Sequence, residues 1–267
     1  MESVPAQIGH DVVIVGGGAM GSSTAYHLMK ADSSLSVVVV EKDRSYERSS
    51  TVLSDGNVRI QFNLEENVRM SQYALDVLRT FEDDMATPSF RPEVGARHQG
   101  NLFLASERGK ADALSGIETQ RELGCEVTWL GSEEIARRFP GLRIEGLVGG
   151  SFAQIDGSVD PSAVLRGFRN KATELGALYL DDEVVELLAN HGAMTGARLR
   201  SGSDLTGPVV VNSAGAWSAD LARPLGVDLP VIPVMRTVYV VSSTVPTIGM
   251  PSLFLPSGVY AIPESDR

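Results

Sequence analysis

The sequence has little of several things, and each scarcity removes a class of function. Its 267 residues include one cysteine, Cys125. An internal disulfide and any CxxC redox or zinc site are thereby excluded, and a buried thiol is the expected role. Four histidines, His10, His27, His98 and His191, are scattered without the spacing of metal ligands. Basic residues are in the minority, 23 Lys and Arg against 34 Asp and Glu, for a net charge of −11. A phosphate backbone or an anionic membrane surface would be repelled overall, so neither is an expected partner. No apolar run reaches the ~18 residues of a membrane-spanning helix. The N-terminus, MESVPAQIGHD, has neither the apolar stretch of a secretion signal nor the arginines of a mitochondrial presequence. The expected compartment is the cytosol, with the mitochondrion as the alternative should a presequence be missing from this chain.

What is present reads as a globular chain, 43% hydrophobic and 21% charged, long enough for one large domain or two smaller ones. Its organising stretch is 11–41, DVVIVGGGAMGSSTAYHLMKADSSLSVVVVE. A short apolar run without alternation, 11–15, fits a parallel strand covered on both faces. Gly16, Gly18 and Gly21 follow in G-x-G-x-x-G spacing, for a tight turn, a close approach to a pyrophosphate, and close helix–strand packing, respectively. The start of the next helix offers unpaired N–H groups to phosphate oxygens. A second apolar run, 37–40, ends in Glu41, whose carboxylate can accept the hydroxyls of an adenosine ribose and would repel a 2′-phosphate. A dinucleotide is the expected ligand, NADP is disfavoured, and the βαβ unit alone leaves NAD and FAD open.

After Glu41 comes a polar, serine-rich loop, KDRSYERSSTVLSDGNVRIQF, of the irregular kind that is usually functional. The patterns predict a helix over 63–85, capped at Asn63, and a domain crossing over 87–100. Strands are expected at 101–105 and 125–130, and helices at 106–123 and from Ser132 as cap to Phe139. Asp160, Pro161 and Gly176 read as cap, first residue and stop of another helix. Strands follow at 177–180, 184–188, 194–200 and 209–211, the last ending in the small-residue turn NSAGAWS, a second approach to a cofactor. The alternation over 231–241 predicts a further strand, carrying Arg236 toward a cavity. A turn at 256–258 leads to Tyr260, expected in the same cavity wall.

Taken together, GGGAMGSSTAYHL, Glu41, the serine loop before VRIQF, the helix after Asp160 and VVVNSAGAWS resemble the FAD-dependent D-amino acid oxidase (DAO) superfamily, in its sarcosine and glycine oxidase branch. Within it, EKDRSYERSSTVLSDGNVRIQFNLEENVRMS and NSAGAWSA are most similar to the branch of FAD-dependent oxidoreductase domain-containing protein 1. The resemblance implies an α/β fold: a Rossmann-like FAD-binding domain with a parallel sheet, and an α+β substrate domain with a mixed or antiparallel sheet. The expected boundaries are 1–86 and 148–222 for the first, 87–147 and 223–267 for the second. It implies FAD contacts at Gly16, Gly18, Ala19, Met20 and Gly21 for the pyrophosphate and at Glu41 and Lys42 for the adenosine. Ser49, Ser50 and Ser54 match the loop beside the pyrophosphate, Val184 the backbone contact to adenine, and Ala214 and Gly215 the second turn. The serine loop and second turn favour FAD over NAD.

Arg59 falls where sarcosine oxidases carry arginines near the flavin, and would bind a substrate carboxylate or stabilise reduced flavin. Residues 42–58 contain no histidine, so noncovalent FAD is expected. Relatives have two glycines where this chain has Gly56 and Asn57, and they continue well beyond Tyr260, which makes the chain look C-terminally truncated. The implied activity is oxidation of the C–N bond of a small amino acid or secondary amine, with oxygen or an electron carrier as acceptor. The alternatives are a non-catalytic flavoprotein that assists assembly of a respiratory complex, or an inactive fragment.

Overall fold

Three runs of β-branched residues and a fourth strand, LYLD, pair edge to edge into an all-parallel sheet. In this computed structural model, which describes residues 8–244 and 246–264, the strands lie in the order Val209–Asn212, Val12–Val15, Val37–Glu41, Leu178–Asp181. Residues 1–7, read above for targeting signals, lie outside the described residues. Successive side chains of a strand point to opposite faces. Val13, Val15, Val38 and Val40 therefore share a face, and they pack against Val184, Leu187, Ala197, Leu199 and Leu205. Those partners belong to a second, mainly antiparallel sheet of Ile8–Gly9, Asp204–Thr206, Ala193–Leu199 and Val184–Asn190. On the other side, Ile14 meets the helix Ala19–Ala31 at Gly21. That helix packs by Tyr26 on Phe168 of Pro161–Glu174, with ring centroids 5.6 Å apart. Each fully buried valine or isoleucine contributes roughly 1.5–3 kcal/mol, which makes this layered core the main stabilising element of the first compact unit, residues 1–54, 81–94 and 161–237.

The second unit comprises residues 55–80, 95–160 and 238–267. Its five-stranded sheet runs Tyr260–Ala261, Ser252–Phe254, Asn101–Ala105, Gly149–Ala153, Thr128–Gly131, antiparallel except where Ser252–Phe254 meets Asn101–Ala105. Leu102, Leu130, Ile135, Phe139 and Phe152 form one core of this unit; Ile60, Val68, Leu75, Ile117, Cys125 and Val127 form another. The helix Glu65–Asp84 supplies Val68 and Leu75 to it. Cys125 is buried and free, as expected.

Some local expectations fail. The helix expected over 63–85 with Asn63 as cap spans Glu65–Asp84, and the Leu64 carbonyl accepts its first bond, from the Val68 N–H at 3.1 Å, so the cap position is Leu64. Ser132 is the first residue of its helix, and the cap position belongs to Gly131, whose φ of −71° and ψ of 160° give it the extended geometry of a cap. The larger departure is 231–241. It forms no strand, Arg236 is exposed, and Met235 and Val240 are each 96% exposed. A strand exists only through its ladder, and no described strand pairs with this segment, so its alternation has no sheet on which to sort side chains.

Candidate functional site

The glycine turn is held from three sides by hydrogen bonds. Gly16, at φ +91°, takes a conformation that favours glycine, and its N–H donates to the Val40 carbonyl at 2.8 Å. A Cβ at Gly21 would collide with the carbonyl oxygen of Gly16, so the helix can approach the strand only with glycine there. Beneath the turn, the Tyr179 hydroxyl donates to Ser22 Oγ at 3.1 Å, and Ser22 Oγ donates to the Gly17 carbonyl at 2.7 Å. Burial pushes the Tyr179 phenol up to about 12, so it stays a donor at physiological pH. From the loop side, Thr51 Oγ1 accepts the N–H of Ala19 at 3.1 Å.

Glu41 is locked at the sheet's carboxyl end. Its Oε2 accepts the Gly17 N–H at 2.7 Å and its Oε1 accepts the Asp43 N–H at 2.9 Å. Two backbone bonds leave lone pairs on both oxygens for further donors. Lys42 lies over the Trp217 ring, with Nζ 3.3 Å from its centroid. Tyr46, at φ +58° and 6% exposed, has a buried hydroxyl with no hydrogen-bond partner among the described residues.

These residues surround one cavity of about 440 Å³ within the first unit, a volume usual for small-molecule sites. Of the residues predicted from the sequence, Gly16, Gly18, Ala19, Met20, Glu41, Lys42, Ser49, Ser50, Val184, Ala214 and Gly215 line it. Gly21 is buried beneath the turn, and Ser54 is exposed and outside the lining. Tyr46, Arg48, Thr51 and Trp217 line it without having been predicted. Tyr46, Arg48 and Thr51 come to the cavity by the path of the loop, and Trp217 by the short helix after the second turn; no spacing rule reports either.

The remaining sequence-predicted residues lie elsewhere. Arg236 is on the exposed segment described above. Arg59 and Tyr260 are in the second unit. There Phe103, Phe254 and Tyr260 stand side by side on three adjacent strands: Phe254 is in register with both others. The Phe103 and Phe254 rings stack at 4.2 Å and 8°, and Tyr260 lies 5.9 Å beyond. The half-buried Arg59 guanidinium sits 4.5 Å from the Phe62 ring centroid, 5.2 Å from Phe103 and 5.8 Å from Phe254. Burial lowers its pKa, against the opposing pull of Asp156 and Asp55; an arginine remains cationic all the same. Among the described residues its side chain has no hydrogen-bond acceptor.

Sequence reasoning passed over Asp156, which is fully buried beside Arg59. Oδ1 accepts the Ile60 N–H at 2.8 Å and Oδ2 accepts Gln61 Nε2 at 2.9 Å. Burial drives its carboxyl up to about 6, against those two bonds and the charge of Arg59. Asn57 exchanges amide hydrogen bonds with buried Asn101 at 3.0 and 2.9 Å. Asn57 also donates to the Gly157 carbonyl at 2.9 Å, which ties the loop to the strand that follows Asp156.

Residues 11–267 match the family model described as FAD dependent oxidoreductase (DAO). The chain belongs to that family. FAD is its cofactor, and the locked glutamate, the glycine turn and the cavity fit the adenosine end of a dinucleotide. Among curated relatives, FAD-dependent oxidoreductase domain-containing protein 1 of Bos taurus is 34% identical over 94% of this chain and 59% of its own length. Human mitochondrial sarcosine dehydrogenase is 27% identical over 91% of this chain and 26% of its own length. The chain thus spans less than two thirds of the curated relatives it matches. Glycine oxidase from Geobacillus kaustophilus, 23% identical, superposes with a TM-score of 0.79 over 97% of this chain and 70% of its own. L-proline dehydrogenase from P. horikoshii, also 23% identical, gives 0.77 over 98% and 68%. These likenesses carry the DAO fold, in agreement with the α/β architecture expected from the sequence. Among the described residues no helix is long and apolar enough to cross a membrane.

Proposed function

We propose that the protein oxidises the C–N bond of a small amino acid or secondary amine, with noncovalent FAD as hydride acceptor and oxygen or an electron carrier as final oxidant. The carrying observation is Arg59, a half-buried cation among three phenyl rings with no acceptor for its five N–H groups among the described residues. A planar guanidinium in that setting matches a carboxylate bidentately, and sarcosine, glycine and D-amino acids all carry one. The names of relatives and neighbours, sarcosine dehydrogenase, glycine oxidase and iminodiacetate oxidase, support the same class.

On this reading the first unit holds the cofactor and the second the substrate. The N–H groups at the glycine turn would meet the pyrophosphate, and the free lone pairs of Glu41 the ribose hydroxyls. Lys42 and the Val184 backbone would flank the adenosine. Bound FAD would supply a two-electron acceptor for a hydride from the carbon beside nitrogen, with the nitrogen lone pair closing a C=N bond and water hydrolysing the resulting imine. The chain's own part is to bind and orient. Arg59 would fix the carboxylate, the Phe62, Phe103 and Phe254 rings would exclude water around it, and Tyr260 would extend that apolar wall. An amine delivered neutral needs no further base.

Anaerobic incubation of the holoprotein with sarcosine, glycine and D-amino acids tests the proposal. Bleaching of the flavin by at least one of them is expected; a yellow protein bleached by none would overturn it.

A further inference from the structure

The segment that carries Arg59 is not held by a regular strand of any length. It enters through the two-residue strand Asn57–Val58, and at Ile60 its backbone turns to a side chain for its hydrogen bond. That side chain is Asp156, fully buried, and both of its oxygens are used on this one segment: Oδ1 on the Ile60 N–H, Oδ2 on Gln61 Nε2. Gln61 relays the hold, since the same Nε2 donates to the Asn101 carbonyl at 3.0 Å, on the strand that also bears Phe103. An uncompensated carboxylate is costly to bury. Cross-chain packing alone would be served as well by an asparagine or by apolar residues, so the retained charge calls for a reason in what stands next to it. What stands next to it is Arg59, whose charge acts on Asp156 while its N–H groups stay without an acceptor.

We propose that Asp156 is a positioning residue for Arg59: its carboxylate anchors residues 60 and 61 from beneath and so fixes where the Arg59 guanidinium is presented to an incoming carboxylate. This rests on the reading of Arg59 as a carboxylate receptor. Direct pairing of Asp156 with the guanidinium would fill the donors that a substrate needs. Anchoring the neighbouring backbone instead orients the arginine and leaves its fork open. The charged and titratable groups facing Asp156 are Arg59 and the Cys125 thiol, itself pushed up by burial, while Asp55 acts on Arg59. With the carboxyl up at about 6, the anchor changes its charge state between pH 5 and 8.

The probe is benzoate, a small carboxylate suited to a cation walled by phenyl rings, titrated into the FAD-loaded protein and read from the flavin spectrum. Wild-type affinity is expected to fall about tenfold between pH 8 and pH 5, a range in which benzoate itself stays ionised. Asp156→Asn is expected to bind about tenfold more weakly at pH 8 and to lose the pH dependence. An Asp156→Asn protein with wild-type affinity and wild-type pH profile would overturn the proposal. Should that variant fail to fold, the wild-type profile decides: a flat response from pH 5 to 8 overturns it as well. Arg59→Met separates the two claims. If it binds benzoate as tightly as wild type, the reading of Arg59 falls; if it loses binding while Asp156→Asn does not, only the role of Asp156 falls.

Discussion

On the proposed reading, the glycine turn at 16–21 and the Arg59–Asp156 region would each hold a charged partner, but they are made of different materials. The turn is backbone: N–H groups, a φ of +91° at Gly16 and a helix start, with Glu41 fixed by two main-chain donors. It tolerates no added atom at Gly21. The second region acts through side chains. A guanidinium rests on three rings, a buried carboxylate anchors its neighbours, and the carboxylate sits up at about 6. The first region should therefore break by steric change, and the second should respond to both charge and pH.

The largest effect expected is at the turn. Gly21→Ala drives a methyl group against the Gly16 carbonyl, and the variant should purify without flavin, checked by absorbance after removal of free FAD. Next is the stability contributed by Asp156. Its folded value is above the unfolded one, so the folded state holds a proton that the unfolded state has released between about pH 4 and 6, and stability from this group falls as pH rises through that window. A shift of about two pH units corresponds to roughly 3 kcal/mol. Chemical denaturation at pH 4.5 and 7.5 should show Asp156→Asn losing that dependence, whereas Gly21→Ala should keep it. Glu41→Gln replaces a charged acceptor by a neutral one and should weaken FAD about tenfold, about 1.4 kcal/mol, measured by quenching of flavin fluorescence on titration. The smallest effect is at Thr51: Thr51→Ala removes its hydrogen bond to the Ala19 N–H and should cost about 1 kcal/mol of affinity, again with no change between pH 5 and 8.

The same contrast explains what was legible in the sequence. Strand, turn, helix, strand and Glu41 are contiguous over 31 residues, and each obeys a local rule of period or conformational freedom, so the turn and its acid could be read directly. The serine loop and the NSAGAWS turn could be read as functional stretches, but the individual contacts at Ser49, Ser50, Val184, Ala214 and Gly215 came only through resemblance, because their meeting around one cavity is set by the fold. Asp156 had no signal at all: a single acid at the end of a glycine-rich stretch says nothing until the chain brings it to Ile60, 96 residues earlier. Arg236 failed for the opposite reason. The alternation over 231–241 is a local pattern, and whether it becomes a strand depends on a ladder partner that local pattern does not contain.

The central claim is that Arg59 receives the carboxylate of an oxidisable amine. Its most direct test compares anaerobic flavin reduction by sarcosine with reduction by dimethylamine, the same amine without the carboxylate, in wild type and in Arg59→Met. A bidentate charged contact worth about 3 kcal/mol corresponds to a preference of roughly a hundredfold. Wild type should favour sarcosine by about that factor, and Arg59→Met should bring the two rates together. Equal rates in wild type, or a sarcosine preference that survives in Arg59→Met, would contradict the account.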